Sequence, residues 1–294
     1  MRIRPPPYLL LILANLFWAG NWVVGRAIRG DIPPLALSFW RWAIALLLVL
    51  PLARPHLARD WPQLLSRGRW LLLFGFLGTA YYNAFGYLGL QHTTVTNGLL
   101  LNSFIPIVIV VLGWLFLGKR LRPIEMLGVV ASLLGVLTIV ARGEPARLAG
   151  LHLNIGDVWI LISVVAWAVY TLMLPHRPTV HPMSFLAAIA ALGLLELLPA
   201  YLWEIASGRS MVLSVPTALG IAYTGVFASL LGFIFWNRAV AEVGPAKSGL
   251  FMHLMPAFGI LLSMVFLDER PEPYHFAGIA LIFTGIWVNT RKWA

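Results

Sequence analysis

The sequence predicts an all-α polytopic membrane protein of ten transmembrane helices, arranged as two inverted five-helix repeats. Three observations carry that expectation: the apolar composition, the placing of the charges, and a self-similarity between the two halves. Of 294 residues, 60% are hydrophobic and 11% charged, and mean hydropathy is +0.84. An ordinary soluble domain carries about 25% charge. Ten spans need about 200 apolar residues, which leaves room for short loops and no sizeable soluble domain. The chain has no cysteine, so a disulfide scaffold, cysteine-bound zinc and iron–sulfur chemistry are excluded.

Apolar runs of spanning length fall at about 8–28, 34–52, 70–88, 95–117, 123–141, 156–174, 183–203, 216–237, 247–267 and 274–290. Proline and charge punctuate their ends, as at Gly30-Asp31-Ile32-Pro33-Pro34, Gly118-Lys119-Arg120, Pro175-His176-Arg177-Pro178 and Asp268-Glu269-Arg270-Pro271. The first run follows Arg2 and Arg4 like a signal peptide. It continues to about Ile28 without an A-x-A site, too long for the usual apolar region, and is expected to stay as span 1.

An even number of spans puts both termini on one side. That side collects Arg2, Arg4, Arg54, Arg59, Arg67, Arg69, Lys119, Arg120, Arg122, Arg177, Arg238, Lys247, Arg291 and Lys292. The other side has Arg26, Arg29, Arg142, Arg147, Arg209 and Arg270. The 14-to-6 split makes the termini cytoplasmic by the positive-inside rule. The net charge of +10 is therefore read as an orientation signal, with no nucleic-acid partner.

A shift of 150 residues lays Gly75 on Gly225, Pro106 on Pro256, Arg120 on Arg270, Pro123 on Pro273, Gly128 on Gly278 and Gly135 on Gly285. With a shift of 149, Trp18-Ala19 meets Trp167-Ala168. The halves are 1–145 and 146–294, with five spans each. An odd number inverts the second half, an architecture found mainly in secondary transporters with a midplane site.

Candidate site residues follow from helical spacing. Span 1 carries Asn15, Trp18, Asn21, Trp22 and Gly25 on one face, and span 6 carries Ser163, Trp167, Tyr170 and Thr171. Trp18 and Trp167 lie too deep for an interfacial belt, whereas Trp22 fits either a belt or the site. Span 3 presents Gly75, Thr79, Tyr82 and Gly86, with Asn83 adjacent, and span 8 presents Gly225, Ser229, Gly232 and Trp236. Pro106 and Pro256 interrupt spans 4 and 9, freeing the carbonyls of Asn102 and Met252. Either neighbours satisfy these kinks, or they are hinges at which Asn102, Ser103 and His253 take the polar end of a substrate. Arg41 and Glu196 are charges well inside spans 2 and 7, where lipid exposure is costly. They are expected near each other across the repeats, or with Arg41 on backbone carbonyls and Glu196 facing water or taking up a proton. The seven-residue glycine spacing in spans 5 and 10 is expected to pack those helices closely.

Leu16-Phe17-Trp18-Ala19-Gly20-Asn21, Phe39-Trp40-Arg41-Trp42-Ala43, and the two blocks from Ile105-Pro106 to Lys119-Arg120 and from Met255-Pro256 to Glu269-Arg270 resemble the drug/metabolite transporter superfamily. The likeness is to its EamA-type ten-span exporters, most of all those of the YddG type for aromatic amino acids. It implies a basket-like bundle, alternating access and efflux across a bacterial inner membrane. Lys119 departs from the Glu often found there, while Glu269 keeps the acid in the second half.

No H-E-x-x-H, G-x-S-x-G or Walker motif occurs, and the acids and histidines are dispersed. An enzyme, a resident metal or cofactor, and direct ATP drive are therefore not expected, and a channel lacks a lined ring of charge. The expected partners are the bilayer and a small amphiphile, an aromatic or neutral amino acid or else a cationic aromatic drug. A homodimer is compatible with the same sequence.

Overall fold

Proline opens most of the helices. A computed structural model describes residues 5–146, 154–267 and 272–291, which are overwhelmingly helical and include no strand. The expected positions of Arg2, Arg4, Arg147, Asp268, Glu269, Arg270, Pro271 and Lys292 lie outside the described residues. The helices are α1 (Pro7–Ala27), α2 (Pro34–Ser66), α3 (Gly68–His92), α4 (Val95–Asn102 and Ile105–Leu117), α5 (Pro123–Val140), α6 (Ile155–His176), α7 (Pro182–Ala206), α8 (Val215–Val243), α9 (Pro245–Leu250, Phe251–His253 and Leu254–Leu267) and α10 (Pro273–Thr290). Pro7, Pro34, Pro123, Pro182, Pro245 and Pro273 stand at helix starts, where the missing N–H costs nothing and the fixed φ suits the helix. Elsewhere side chains cap: Thr94 accepts from the Asn97 amide, Ser214 from Thr217, and Asn154 forms a capping box with Asp157.

Eight of these stretches, α1 to α8, are long and apolar enough to cross a membrane among the described residues. The last two expected spans are helical but are not among the eight. The α9 stretch is divided by a 3-10 turn, and its final helix has only 14 residues. The α10 helix has 18 residues and spends several of them on Tyr274, His275, Asn289 and Thr290.

α2 departs from expectation by running on to Ser66 through Pro51, Pro55 and Pro62. At 33 residues it is about 50 Å long, against a hydrocarbon core of about 30 Å. The excess length places its last turns beyond the apolar layer if the helix spans it, and there solvent satisfies the carbonyls that the prolines leave unpaired.

Packing is built on close backbone approaches. Between α5 and α10, a Cβ added to Gly128 would lie 2.7 Å from the Gly285 carbonyl oxygen, and one on Gly135 2.5 Å from that of Gly278. The seven-residue glycine spacing is thus an antiparallel seam, with Ser132 inside it. Gly89 of α3 and Gly156 of α6 meet in the same way, 2.6–2.8 Å from each other's carbonyls. α2 and α7 cap each other reciprocally. The Glu204 carboxylate, near the end of α7, accepts from the Leu35 and Ala36 amides at 3.2 and 2.8 Å. Asp60, near the end of α2, accepts from the His181 amide at 2.9 Å. A carboxylate at a helix start meets orphan N–H groups and the positive end of the dipole.

α3 and α8 each contain a π-helical segment, Gly75–Ala80 and Thr224–Leu231. The first packs on α7 and the second on α2. These wide turns aim the side chains before and after them in different directions.

Candidate substrate site

Large aromatic side chains from α1, α2, α3, α6 and α8 meet in the interior. Trp18 lies 5.0 Å from Trp167 and 5.2 Å from Trp236, ring centre to ring centre. Trp167 also meets Tyr82 at 4.6 Å, Tyr170 at 5.1 Å, Phe233 at 5.3 Å and Trp236 at 5.6 Å. Trp42 of α2 closes edge-on against Phe233 at 4.7 Å. Such pairs contribute about 0.5–1.5 kcal/mol each beyond area burial. All of these rings are buried, whereas Trp61, Trp70, Trp114, Trp203 and Trp287 are exposed. Among the described residues the tryptophans thus include an outer set suited to the lipid interface and an inner set gathered around Trp167.

Beside the rings lies a polar node centred on Arg41, which is fully buried. Its Nε donates to Ser229 Oγ at 2.6 Å, and its Nη1 to Asn83 Oδ1 at 2.7 Å, Tyr87 OH at 2.6 Å and Asn21 Oδ1 at 3.1 Å. Tyr87 OH donates in turn to Asn21 Oδ1 at 2.5 Å. Four helices thus converge at one guanidinium through neutral oxygens alone. Burying an arginine at mid-membrane costs about 2.5–3.5 kcal/mol even on the lenient insertion scale, and hydrogen bonds to a charged group return about 1.5–3 kcal/mol each. The node is continuous with the rings: Trp18 Nε1 donates to the Ala228 carbonyl at 2.9 Å, next to Ser229, and Tyr82 adjoins Asn83. Asn21, Trp22, Tyr82, Asn83, Gly86, Tyr87 and Leu90 line a recess of about 10 Å³, room for one water. In this conformation the rings fill the space between themselves.

Of the residues expected in the site, Trp18, Tyr82, Trp167, Tyr170 and Trp236 come together in the aromatic group. Asn21, Trp22 and Asn83 border it at the recess, with Trp22 buried against Gly98 and Gly86 rather than at the interface. Asn102 stays close through Tyr82, whose OH donates to its Oδ1 at 3.4 Å. Ser103 and His253 do not join. His253 Nδ1 lies 2.6 Å from Ser132 Oγ and Nε2 lies 2.9 Å from the Ser103 carbonyl. Both ring nitrogens are occupied, and the residue braces α9 against α5 and α4. Ser103 Oγ donates back to the Leu99 carbonyl.

The backbone is interrupted at Ser103–Phe104, just before Pro106, and by the 3-10 turn Phe251–His253 before Pro256. Arg41 and Glu196 do not pair. Every partner of Arg41 is neutral, and the Glu196 carboxylate lies against the Gly75 backbone with Oε2 unbonded. The expected carbonyl ligands of Arg41 are replaced by side-chain oxygens. Tyr87, Trp42 and Phe233 are additions that the sequence pattern does not single out. Tyr87 is four residues after Asn83 and Trp42 adjoins Arg41, so spacing could have found the first and neighbourhood the second.

A helical membrane protein with an interior aromatic-polar site is the architecture of a carrier, and comparison with known proteins agrees. The EamA-like transporter family model matches the chain twice, over residues 5–141 and 154–291, and the chain belongs to that family. An uncharacterized transporter, YetK of Bacillus subtilis, is 29% identical over 97% of this chain and 87% of its own length. A protein of Streptantibioticus cattleyicolor described as a "Probable terminal-alkyne amino-acid exporter" is 27% identical over 96% of this chain and 92% of its own. A crystal structure titled only as that of a protein superposes with a TM-score of 0.77 at 21% identity, covering 98% and 97% of the two chains; it speaks to fold alone. The chain is a multi-pass membrane transport protein and not an enzyme.

Proposed function

We propose that the protein is a secondary exporter of small amphiphilic metabolites, foremost aromatic and other neutral amino acids. It works by alternating access between two inverted five-helix halves, 1–145 and 146–294. The observation that carries this reading is the aromatic group around Trp167, assembled from both halves and bordered by the Arg41 node. Rings suit an apolar or aromatic body, and the node suits the polar end. The double family match and the equivalent π segments in α3 and α8 support the two-repeat architecture. The relative described as an amino-acid exporter supports the substrate class. In the cycle, the interruptions before Pro106 and Pro256 are the hinges, and the rings part to admit substrate. The distribution of Lys and Arg favours both termini in the cytoplasm. A cationic drug is the poorer fit, because the charge at the site is that of Arg41.

The test is counterflow in proteoliposomes preloaded with unlabelled phenylalanine, following entry of labelled phenylalanine. Saturable exchange, weakened by both Trp18→Ala and Trp167→Ala, is the expected result. Exchange indifferent to both substitutions would move the site elsewhere, and no exchange by folded protein would remove phenylalanine as substrate.

A further inference from the structure

Arg41 is a full positive charge buried in the interior, and all of its partners are neutral. Its bonds are also lopsided. Nε has one acceptor and Nη1 has three crowded upon it, while Nη2 has no hydrogen-bond partner. A guanidinium presents five N–H groups in a fixed fork, so the Nη2 corner of this one, half of each bidentate edge it shares with Nε or Nη1, is unspent. The same imbalance extends to its surroundings. The buried atoms of the node and ring group that lack a partner are Arg41 Nη2, Asn83 Nδ2 and the indole nitrogens of Trp42, Trp167 and Trp236. Every one of them is a donor. Burying donors without acceptors is unfavourable, and doing so around an uncompensated cation doubly so. Donors clustered in this way are complementary to an anion with several acceptor lone pairs.

We infer that Arg41 is the binding residue for a carboxylate on the transported substrate, so that the site selects monocarboxylates and zwitterions and rejects amines that lack a carboxylate. A carboxylate meets a guanidinium edge with two parallel hydrogen bonds. Nη2 supplies the free half of such an edge, and either Nε or Nη1 completes it by giving up a present partner. Ser229, Asn21, Asn83 and Tyr87 hold the charge while the site is empty, from helices of both halves. Exchanging some of those bonds for substrate bonds loosens the tie between α2 and α8. This inference rests on the exporter reading for its substrate but not for its chemistry.

The experiment is thermal stabilisation of the purified full-length chain in detergent by probes that share one benzyl group: phenylalanine, 3-phenylpropionate, phenylalaninamide and 2-phenylethylamine. Both carboxylates are expected to raise the melting temperature, and the amide and the amine to need roughly tenfold higher concentration or more. Arg41→Lys should weaken the carboxylates by a similar factor, since lysine lacks the fork, and Arg41→Gln should abolish their effect. Equal stabilisation by phenylethylamine and phenylalanine would overturn the inference, as would carboxylates without effect on the wild type. The wild-type series needs no variant, so failure of the Arg41→Gln protein to fold leaves the test intact. Stabilisation by phenylpropionate in a protein that does not exchange phenylalanine would keep Arg41 and discard the amino-acid exporter. Phenylalanine exchange with no preference for the carboxylate would do the reverse.

Discussion

The π segment of α3 and that of α8 occupy equivalent places in the two halves, and each lies across a long helix from the other half. At the first, Thr79 Oγ1 bonds to the carbonyls of Gly75 and Ile189 at 2.7 and 2.9 Å, and Gly193 of α7 packs directly on the Thr79 side chain. At the second, Ser229 Oγ donates to the Thr224 carbonyl at 3.0 Å and accepts from Arg41 at 2.6 Å. Gly225 there faces Ile44. The same backbone device thus closes through a hydroxyl and carbonyls in one half, with the Glu196 carboxylate left unbonded beside it, and holds the Arg41 guanidinium in the other. A repeat fixes the geometry of a crossing; single side chains decide whether it is a seam or a site.

That contrast can be broken by substitution, and stability should respond most. Gly193→Val drives a side chain into Thr79 and the Gly75 backbone and should cost about 3 kcal/mol or more. Gly225→Val meets Ile44 Cβ at 2.9 Å and the Arg41 carbonyl at 3.1 Å, without the deeper overlap that the Thr79 hydroxyl presents at Gly193, and should cost somewhat less. Chemical unfolding of both variants in mixed micelles checks the order. Function should respond in the opposite sense. Ser229→Ala removes a ligand of Arg41 and should lower phenylalanine exchange roughly tenfold, while the unpaired Nε costs about 1.5–3 kcal/mol of stability. Thr79→Val should leave exchange within about twofold of wild type and cost about 1 kcal/mol of stability. Equal losses of exchange in the two would erase the distinction.

Much of the site can be read from spacing. Helical periodicity gathers Trp18, Trp167 and Trp236, and the seven-residue interval gathers the glycine pairs of α5 and α10. The π segments explain much of what escapes. Gly75, Thr79 and Tyr82 fall on one face if every turn holds 3.6 residues. The π segment Gly75–Ala80 intervenes, and Thr79 instead faces α7 while Tyr82 faces Trp167. Counting through such a turn misplaces everything beyond it. His253 escapes for another reason: its partners Ser132 and Ser103 lie more than a hundred residues away, and no local pattern encodes them.

Smaller effects should follow at the joint between α2 and α7. Glu204→Ala removes the acceptor for the Leu35 and Ala36 amides and should cost about 1 kcal/mol, read as a lower melting temperature with substrate recognition intact. Acidification should act still more weakly. The His181 ring stacks on His56 at 3.5 Å, and partial burial followed by the His56 charge holds its pKa below the ordinary 6.5. A histidine with a lowered pKa favours the folded state while neutral, so the small loss of stability appears as pH falls through about 6.5 and below. His181→Asn, which keeps a capping side chain, should flatten that part of the pH–stability profile.

The crossed caps of α2 and α7 also bear on biosynthesis. When α2 enters the membrane, the carboxylate that will cap its start belongs to Glu204, some 170 residues downstream. Until α7 emerges from the ribosome, the opening amides of α2 must borrow water or lipid phosphate, and Asp60 waits for the amide of His181. The two halves are therefore expected to depend on each other during assembly. Produced separately and cut between residues 146 and 154, each should be short-lived, and their co-expression should rescue both.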